Sequence, residues 1–298
     1  MAQTPEIYYR IKTDSQPLIS LPIMKISAIF SITLFAVSAL AAPHSNGGHA
    51  RRIERRTARE IRTTNPLKVI GSTDALPDTN ATEVEYSSNW AGAVLTAPPA
   101  DETFNSVSGQ FVVPTPSIPQ DGRDGKYSAA IWVGIDGDTY GNAIWQSGID
   151  ISVSGSQISF DVWYEWFPSP SYDIQGFSIS VGDIIIITVS SSSKSEGSVT
   201  LENISTGQSV TQSASAPNSN AVLGGQNAEW IIEDFDVGGS QVPFADFGTV
   251  LFTNAVASTS SQSVGTDDAV IIEMKDSNGN ILTNVSLPSS SEIKIVYE

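Results

Sequence analysis

Asp183-Ile184-Ile185-Ile186-Ile187-Thr188-Val189-Ser190 is a solid isoleucine block, the composition expected of a strand buried on both faces. The same texture continues outward from it. From about Val84 to Glu298, short apolar or alternating runs are separated by Ser, Gly, Asn, Asp and Pro. Strands are expected over Gly109–Val113, Ala129–Ile135, Ala143–Val153, Gln157–Phe167, Phe177–Val181, Ile184–Ser190, Ser198–Glu202, Ala228–Asp234, Gly248–Thr253, Ala269–Met274 and Glu292–Tyr297. Asp276-Ser277-Asn278-Gly279-Asn280 carries an Asn-Gly turn signal between two of them. No stretch holds a 3.6-residue period over three turns. About 215 residues of short strands with regular turns predict one all-β domain, a sandwich or barrel.

Charge divides the chain. Residues 1–83 carry 10 Lys/Arg and 7 Asp/Glu, a net of +3, whereas residues 84–298 carry 5 and 25, a net of −20. There is no Cys, and both histidines, His44 and His49, lie in the basic part. A body at −20 has no basic groove for nucleic acid and no attraction to an anionic membrane surface. Without Cys or His it builds no Cys/His zinc site and runs no mechanism with a His base. No metal and no cofactor is expected. Chemistry there must come from carboxylates, amides and hydroxyls, with a few Lys or Arg.

The leader reads in three pieces. Met24-Lys25, the apolar Ile26 to Val37 and the small residues of Ala39-Leu40-Ala41 form a secretory signal over 24–41, too short to span a bilayer. Residues 1–23 resemble no signal n-region and read as a gene-model extension. Residues 42–83 read as a basic propeptide, with a short charged helix expected over Arg51–Arg62 and a loop over Thr63–Thr82; dibasic pairs stand at Arg51-Arg52 and Arg55-Arg56. Sequons at Asn80, Asn203 and Asn284 accord with secretion.

Two expected strands carry unusual polarity. In Asp161-Val162-Trp163-Tyr164-Glu165-Trp166-Phe167, alternation puts Asp161, Trp163, Glu165 and Phe167 on one face, with two carboxylates between aromatic rings. That composition suits a cleft for a peptide or a sugar. In Asn227-Ala228-Glu229-Trp230-Ile231-Ile232-Glu233-Asp234-Phe235, Glu229 shares a face with Ile231, Glu233 and Phe235. A carboxylate in so apolar a strand must be paired, hydrogen-bonded or shifted in pKa. Gln146, in Ala143-Ile144-Trp145-Gln146-Ser147-Gly148, is an amide in another apolar strand. It needs partners or serves a ligand.

Together, Ser88-Asn89-Trp90-Ala91-Gly92-Ala93-Val94, Trp132–Gly148, Trp163-Tyr164-Glu165-Trp166, and Asn227–Phe235 continuing to Gly248 resemble the fungal glutamic peptidases, or eqolisins. The likeness covers essentially residues 84–298. It implies a sandwich of two large antiparallel sheets, preceded by a signal peptide and basic propeptide. It implies a secreted, acid-active endopeptidase that acts on peptide and protein substrates. The catalytic pair falls on Gln146 and Glu229, with Trp132, Asp136, Trp163, Glu165 and Phe167 lining the substrate cleft. A monomer inhibited by its own propeptide is expected. Two departures are visible: Tyr140 and Gly224 stand where the family commonly has Cys, and Phe167 where it has Tyr. A carboxylate base suits acid, where a His would be protonated. The competing readings are a β-sandwich glycoside hydrolase, with carboxylates such as Glu165 and Glu229, and a glycan-binding module. A pepsin-like enzyme is disfavoured because no Asp-Thr-Gly or Asp-Ser-Gly occurs.

Overall fold

The computed structural model describes residues 61–70 and 84–298. The stretches expected as a signal (24–41) and as a gene-model extension (1–23), the Asn80 sequon and most of the expected charged helix lie outside the described residues. Residue Arg62, at the end of that expected helix, is instead in a two-residue strand, Arg62–Thr63.

Two eight-stranded sheets make the body. The first, called the site sheet below, runs in the order Val84–Ser87, Val270–Met274, Trp90–Leu95, Ala228–Glu233, Lys126–Ile135, Ile144–Ser154, Gln157–Phe167 and Tyr172–Asp173. The backing sheet runs Gln208–Ser215, Glu196–Asn203, Ile184–Ser193, Ser106–Val112, Thr249–Ser258, Glu292–Tyr297 and Thr283–Ser289, with Ser263–Val264 paired to Thr249–Ser258. Pairing is antiparallel except between Val270–Met274 and Val84–Ser87, which run parallel. The Arg62–Thr63 strand belongs to a small third sheet, with Asp236–Val237 and Ser240–Gln241.

The isoleucine block forms its strand, but only one face is deeply buried. Ile185, Ile187 and Val189 are fully buried, while Ile184, Ile186 and Thr188 are half-buried. The backing sheet has one core face, so the rule for double-sided burial did not apply. Phe177–Val181 is not a strand: the Ser178 and Ser180 N–H groups donate to the side chains of Gln208 and Asp183 instead of to a ladder. Phe177 and Ile179 still pack on the core. The Asn-Gly turn is present, with Gly279 at φ 85° and the Asn278 and Asn280 N–H groups both 2.8 Å from Asp276 Oδ1.

The core lies between the sheets and is spanned by tryptophans. Trp230 donates its indole N–H to Ser108 O at 2.8 Å and Trp145 to Ser190 O at 3.0 Å, both in the backing sheet. Trp166 donates to Ala221 O at 2.8 Å. Each ring is buried with its one polar atom satisfied, the condition under which a large aromatic adds its full apolar area to the core. Gly109 makes room for Trp230 and Gly197 for Trp145, since a β-carbon at either position would run into the indole.

Tyr140 and Gly224, the positions where the resembled family commonly has cysteines, are neighbours. A β-carbon on Gly224 would stand 2.7 Å from the Tyr140 ring, and the Tyr140 hydroxyl donates to Val222 O at 2.9 Å. An aromatic ring lying on a glycine fills this place. The two remaining sequons differ: Asn284 is exposed, whereas Asn203 is buried and its Nδ2 donates to Ser178 O and Asp183 Oδ2. A glycan on Asn203 would break both bonds, so that candidate does not fit the folded chain.

Candidate active site

The site is built by register. On the face of the site sheet turned away from the core, Glu229 pairs with Gly134, Gly134 with Gln146, and Gln146 with Glu165. One transverse row therefore carries Glu229, a gap, Gln146 and Glu165 on four consecutive strands. The next row on that face reads Ile231, Trp132, Gly148, Trp163, and the one beyond it Glu233, Ala130, Asp150, Asp161. Period-two alternation makes each row two residues from the last.

Each polar residue of the first row is backed by a tryptophan. Glu229 precedes Trp230, Trp145 precedes Gln146, and Glu165 precedes Trp166. Successive side chains point to opposite faces, so the core indoles anchor the backbone from which the polar groups project. Gly134 keeps the row close. A β-carbon there would lie 3.1 Å from both Gln146 Cβ and Glu229 Oε1, and 2.9 Å from the Trp132 ring.

Gln146 and Glu229 are fully buried. Neither carboxyl oxygen of Glu229, nor Gln146 Oε1, has a hydrogen-bond partner among the described residues. Burial, with Asp136 and Asp138 adding like-charge repulsion, raises the Glu229 pKa well above the ordinary carboxylate value. Glu233 is likewise raised, chiefly by burial, although it accepts from Asn65 N at 3.1 Å and from Trp132 Nε1 at 3.0 Å. Burial also pushes Glu165 up to about 8, against the pull of Arg62 and Thr64.

The cover over this face is the segment 61–70. Gln146 Nε2 donates to Thr64 Oγ1 at 2.7 Å. The Thr64 N–H points at both Glu165 oxygens, at 3.3 and 3.2 Å. Arg62 forms a bidentate pair with Asp150 at 2.6 and 2.8 Å and lies 3.8 Å over the Trp163 ring. Asn89 Nδ2 holds Asn65 O and Pro66 O, its Oδ1 accepts from Lys68 N, and Lys68 Nζ stands 3.6 Å from Asp236.

Of the residues expected to line the cleft, Trp132, Trp163, Glu165 and Phe167 lie on this face, with Phe167 half-buried at the edge of the cluster formed by Trp90, Trp132 and Trp163. Asp136 does something else. Its buried carboxylate accepts from the backbone N–H groups of Gly224, Gly225, Gln226 and Asn227 at 2.7–3.4 Å, bracing the loop that leads into Glu229. Sequence reading missed Asp150 and Glu233. The signal for both was present: Asp150 is the one carboxylate of its apolar strand, and Glu233 shares the face of Glu229 on another. Arg62, Thr64 and Asn65 carried no such signal.

Comparison with known proteins accords with this arrangement. The sequence model of the peptidase A4 family matches residues 88–297. Aspergillopepsin-2 of Aspergillus niger is 42% identical over 290 residues, covering 92% of this chain and all of that protein. Scytalidopepsin B of Scytalidium lignicola is 39% identical over 264 residues, 86% of this chain and 92% of that one. Among solved structures, scytalido-glutamic peptidase with a transition state analog inhibitor superposes with a TM-score of 0.62 at 38% identity, covering 71% of this chain and 98% of that one. Aspergilloglutamic peptidase from Aspergillus niger gives 0.55 at 46% identity, over 58% and 99%. With its two-sheet fold, its row of Glu229 and Gln146 and these likenesses over nearly the whole body, the chain belongs to the peptidase A4 family.

Proposed function

We propose that the chain is the zymogen of a secreted acid endopeptidase. Residues 24–41 export it, 42–83 are its propeptide and inhibitor, and 84–298 form the enzyme. The observation that carries this reading is the register row: it sets Glu229 and Gln146 on one face, separated only by Gly134.

As a carboxylate, Glu229 takes a proton from a water that attacks the scissile carbonyl. The resulting acid gives that proton to the leaving amine, so the group ends as it began. The Gln146 amide donates N–H to the oxyanion and its oxygen steadies the water. Both functions work in acid, because the amide does not titrate and a carboxylate ionises near pH 4.

Segment 61–70 disables the site in two ways. It takes up the Gln146 donor, and it covers the face on which Glu229 lies buried with a raised pKa, held protonated and unable to act as a base. Departure of the segment restores solvation and lowers the Glu229 pKa toward the range where the enzyme works.

The test is incubation of the secreted chain below pH 4 with denatured protein, with and without pepstatin, and separately with polysaccharide, together with mass spectrometry before and after acidification. Pepstatin-insensitive proteolysis accompanied by loss of the N-terminal mass is expected. An active chain of unchanged mass would contradict the zymogen. Sugar release without proteolysis would contradict the peptidase.

A substitution probes the gap in the row. Gly134→Ala places a methyl against Trp132, Gln146 and Glu229 together. The variant is expected to fold at a cost of about 1–3 kcal/mol from overpacking. Its kcat should fall by about 10² or more, because displacement of the reacting groups by ~1 Å has that effect. Unchanged kcat in the folded variant would show that the spacing does not matter.

A further inference from the structure

The peptidase chemistry leaves the Asn-x-Ser/Thr sequons unused, and the fold treats the two within 84–298 unequally. Asn203 is fully buried, and its Nδ2 is committed to Ser178 O at 3.1 Å and Asp183 Oδ2 at 2.8 Å. Asn284 has the opposite setting. In the strand Thr283–Ser289, Thr283 and Val285 are buried, whereas Asn284 and Ser286 are exposed. Period-two alternation therefore puts the amide and the hydroxyl of this sequon on the outer face of the backing sheet. Neither side chain has a hydrogen bond to another described residue.

The surroundings follow from register. Asn284 pairs with Val296 and Val296 with Thr249, while Ser286 pairs with Lys294 and Lys294 with Leu251. Three strands thus present an outer corner in which Lys294 carries the one charge. Thr249 and Leu251 are exposed there, and Val296 is half-buried. This aliphatic and hydroxyl surface, free of carboxylates in a strongly acidic body, can receive the apolar rim of a sugar ring. The core and the site sheet lie between it and Gln146.

Resting on the secretory reading above, we propose that Asn284 carries an N-linked oligosaccharide and is the single carrier within 84–298 of the folded enzyme. Asn284 Nδ2 bonds to the anomeric carbon of an N-acetylhexosamine supplied as a lipid-diphosphate-linked oligosaccharide. The bond from that carbon to the diphosphate breaks, the lipid diphosphate leaves with the electron pair, and one amide proton passes to a base of the transferase. Transfer takes place on the unfolded chain, where burial does not yet protect Asn203. The fold then sorts the products. Sugar on Asn203 displaces the bonds to Ser178 and Asp183 and leaves the Asp183 carboxylate without that donor, whereas sugar on Asn284 points to solvent and costs no contact.

The test compares the chain made in a secreting fungal host in two forms, one with its own leader and one with a host signal placed before Ala42. Peptide mass spectrometry of the exported, acid-processed enzyme, before and after peptide-N-glycosidase, reads each asparagine. Oligosaccharide is expected at Asn284 and not at Asn203 in both forms. Asn284→Gln and Ser286→Ala should each abolish the mobility shift caused by the glycosidase, and Asn203→Gln should leave it unchanged. Unchanged kcat/KM in the first two variants would show that sugar, and not the fold, has been lost. Bare Asn284 in exported enzyme carrying the host signal would overturn the proposal, as would sugar on Asn203 in active enzyme. Sugar on Asn284 with the host signal, but an unexported bare chain with its own leader, would leave the site standing and overturn the secretory reading instead.

Discussion

Replacing Glu229 with Gln is expected to abolish acid proteolysis in a protein that remains folded. The substitution is nearly isosteric, and no hydrogen bond of Glu229 to another described residue is lost. What disappears is the proton acceptor, and loss of a general base costs up to about 10⁴ in rate. Gln146→Ala removes the oxyanion donor instead, worth about 2.7–4 kcal/mol, or 10²–10³ in kcat. Both variants should remain unprocessed after acidification, which turns mass spectrometry into a second readout. Kinetics on a soluble peptide together with circular dichroism decide the matter. Near-full activity in folded Glu229→Gln would remove Glu229 from the mechanism.

The second large effect concerns pH and stability. Burial raises Glu229 and Glu233 well above their ordinary value, Glu165 to about 8 and Asp234 to about 8. In the unfolded chain these groups ionise near pH 4. Between that point and their folded values the native state binds more protons than the unfolded one, so stability falls as pH rises. It is fully present below about pH 4 and declines through pH 8. One unit of separation is worth about 1.4 kcal/mol, so a group such as Glu165 contributes several kcal/mol across the window. Arg62 offsets part of this by pairing with Asp150 and Glu165. The expected result is a melting temperature that drops steadily from pH 5 to pH 8, measured in the Glu229→Gln chain to prevent self-processing. That variant should also fall less steeply than Gln146→Ala, which retains the titrating carboxyl. A flat or rising profile would show that these carboxylates are not held protonated.

The sequence revealed most where local rules act alone. Gln157–Phe167 and Glu292–Tyr297 form strands with the expected ends, and the faces assigned around Trp163 and Trp230 match the two clusters on either side of the site sheet. Alternation is a property of the strand itself. Gln208–Ser215 was missed because its strand is almost wholly polar, with no apolar run to mark it. The isoleucine block was misjudged because burial depends on what packs against each face, which no run of residues encodes. The pair Gln146 and Glu229 could be named from motifs, but its geometry needs the pairing of Glu229 with Gly134, 95 positions apart, on top of the local pairing of Gly134 with Gln146. The covering segment was hardest to place. Only two of its residues form a strand, and its hydrogen bonds reach residues 16–177 positions away in sequence.

All six tryptophans of the chain, Trp90, Trp132, Trp145, Trp163, Trp166 and Trp230, stand on strands of the site sheet. The backing sheet has none. Tryptophan emission from this protein is therefore a signal from the site sheet, while circular dichroism averages both sheets. Trp163 adds a finer channel, because a guanidinium lies against its ring for as long as the segment 61–70 is seated. Loss of that contact is expected to change the Trp163 emission, a readout that needs no added label.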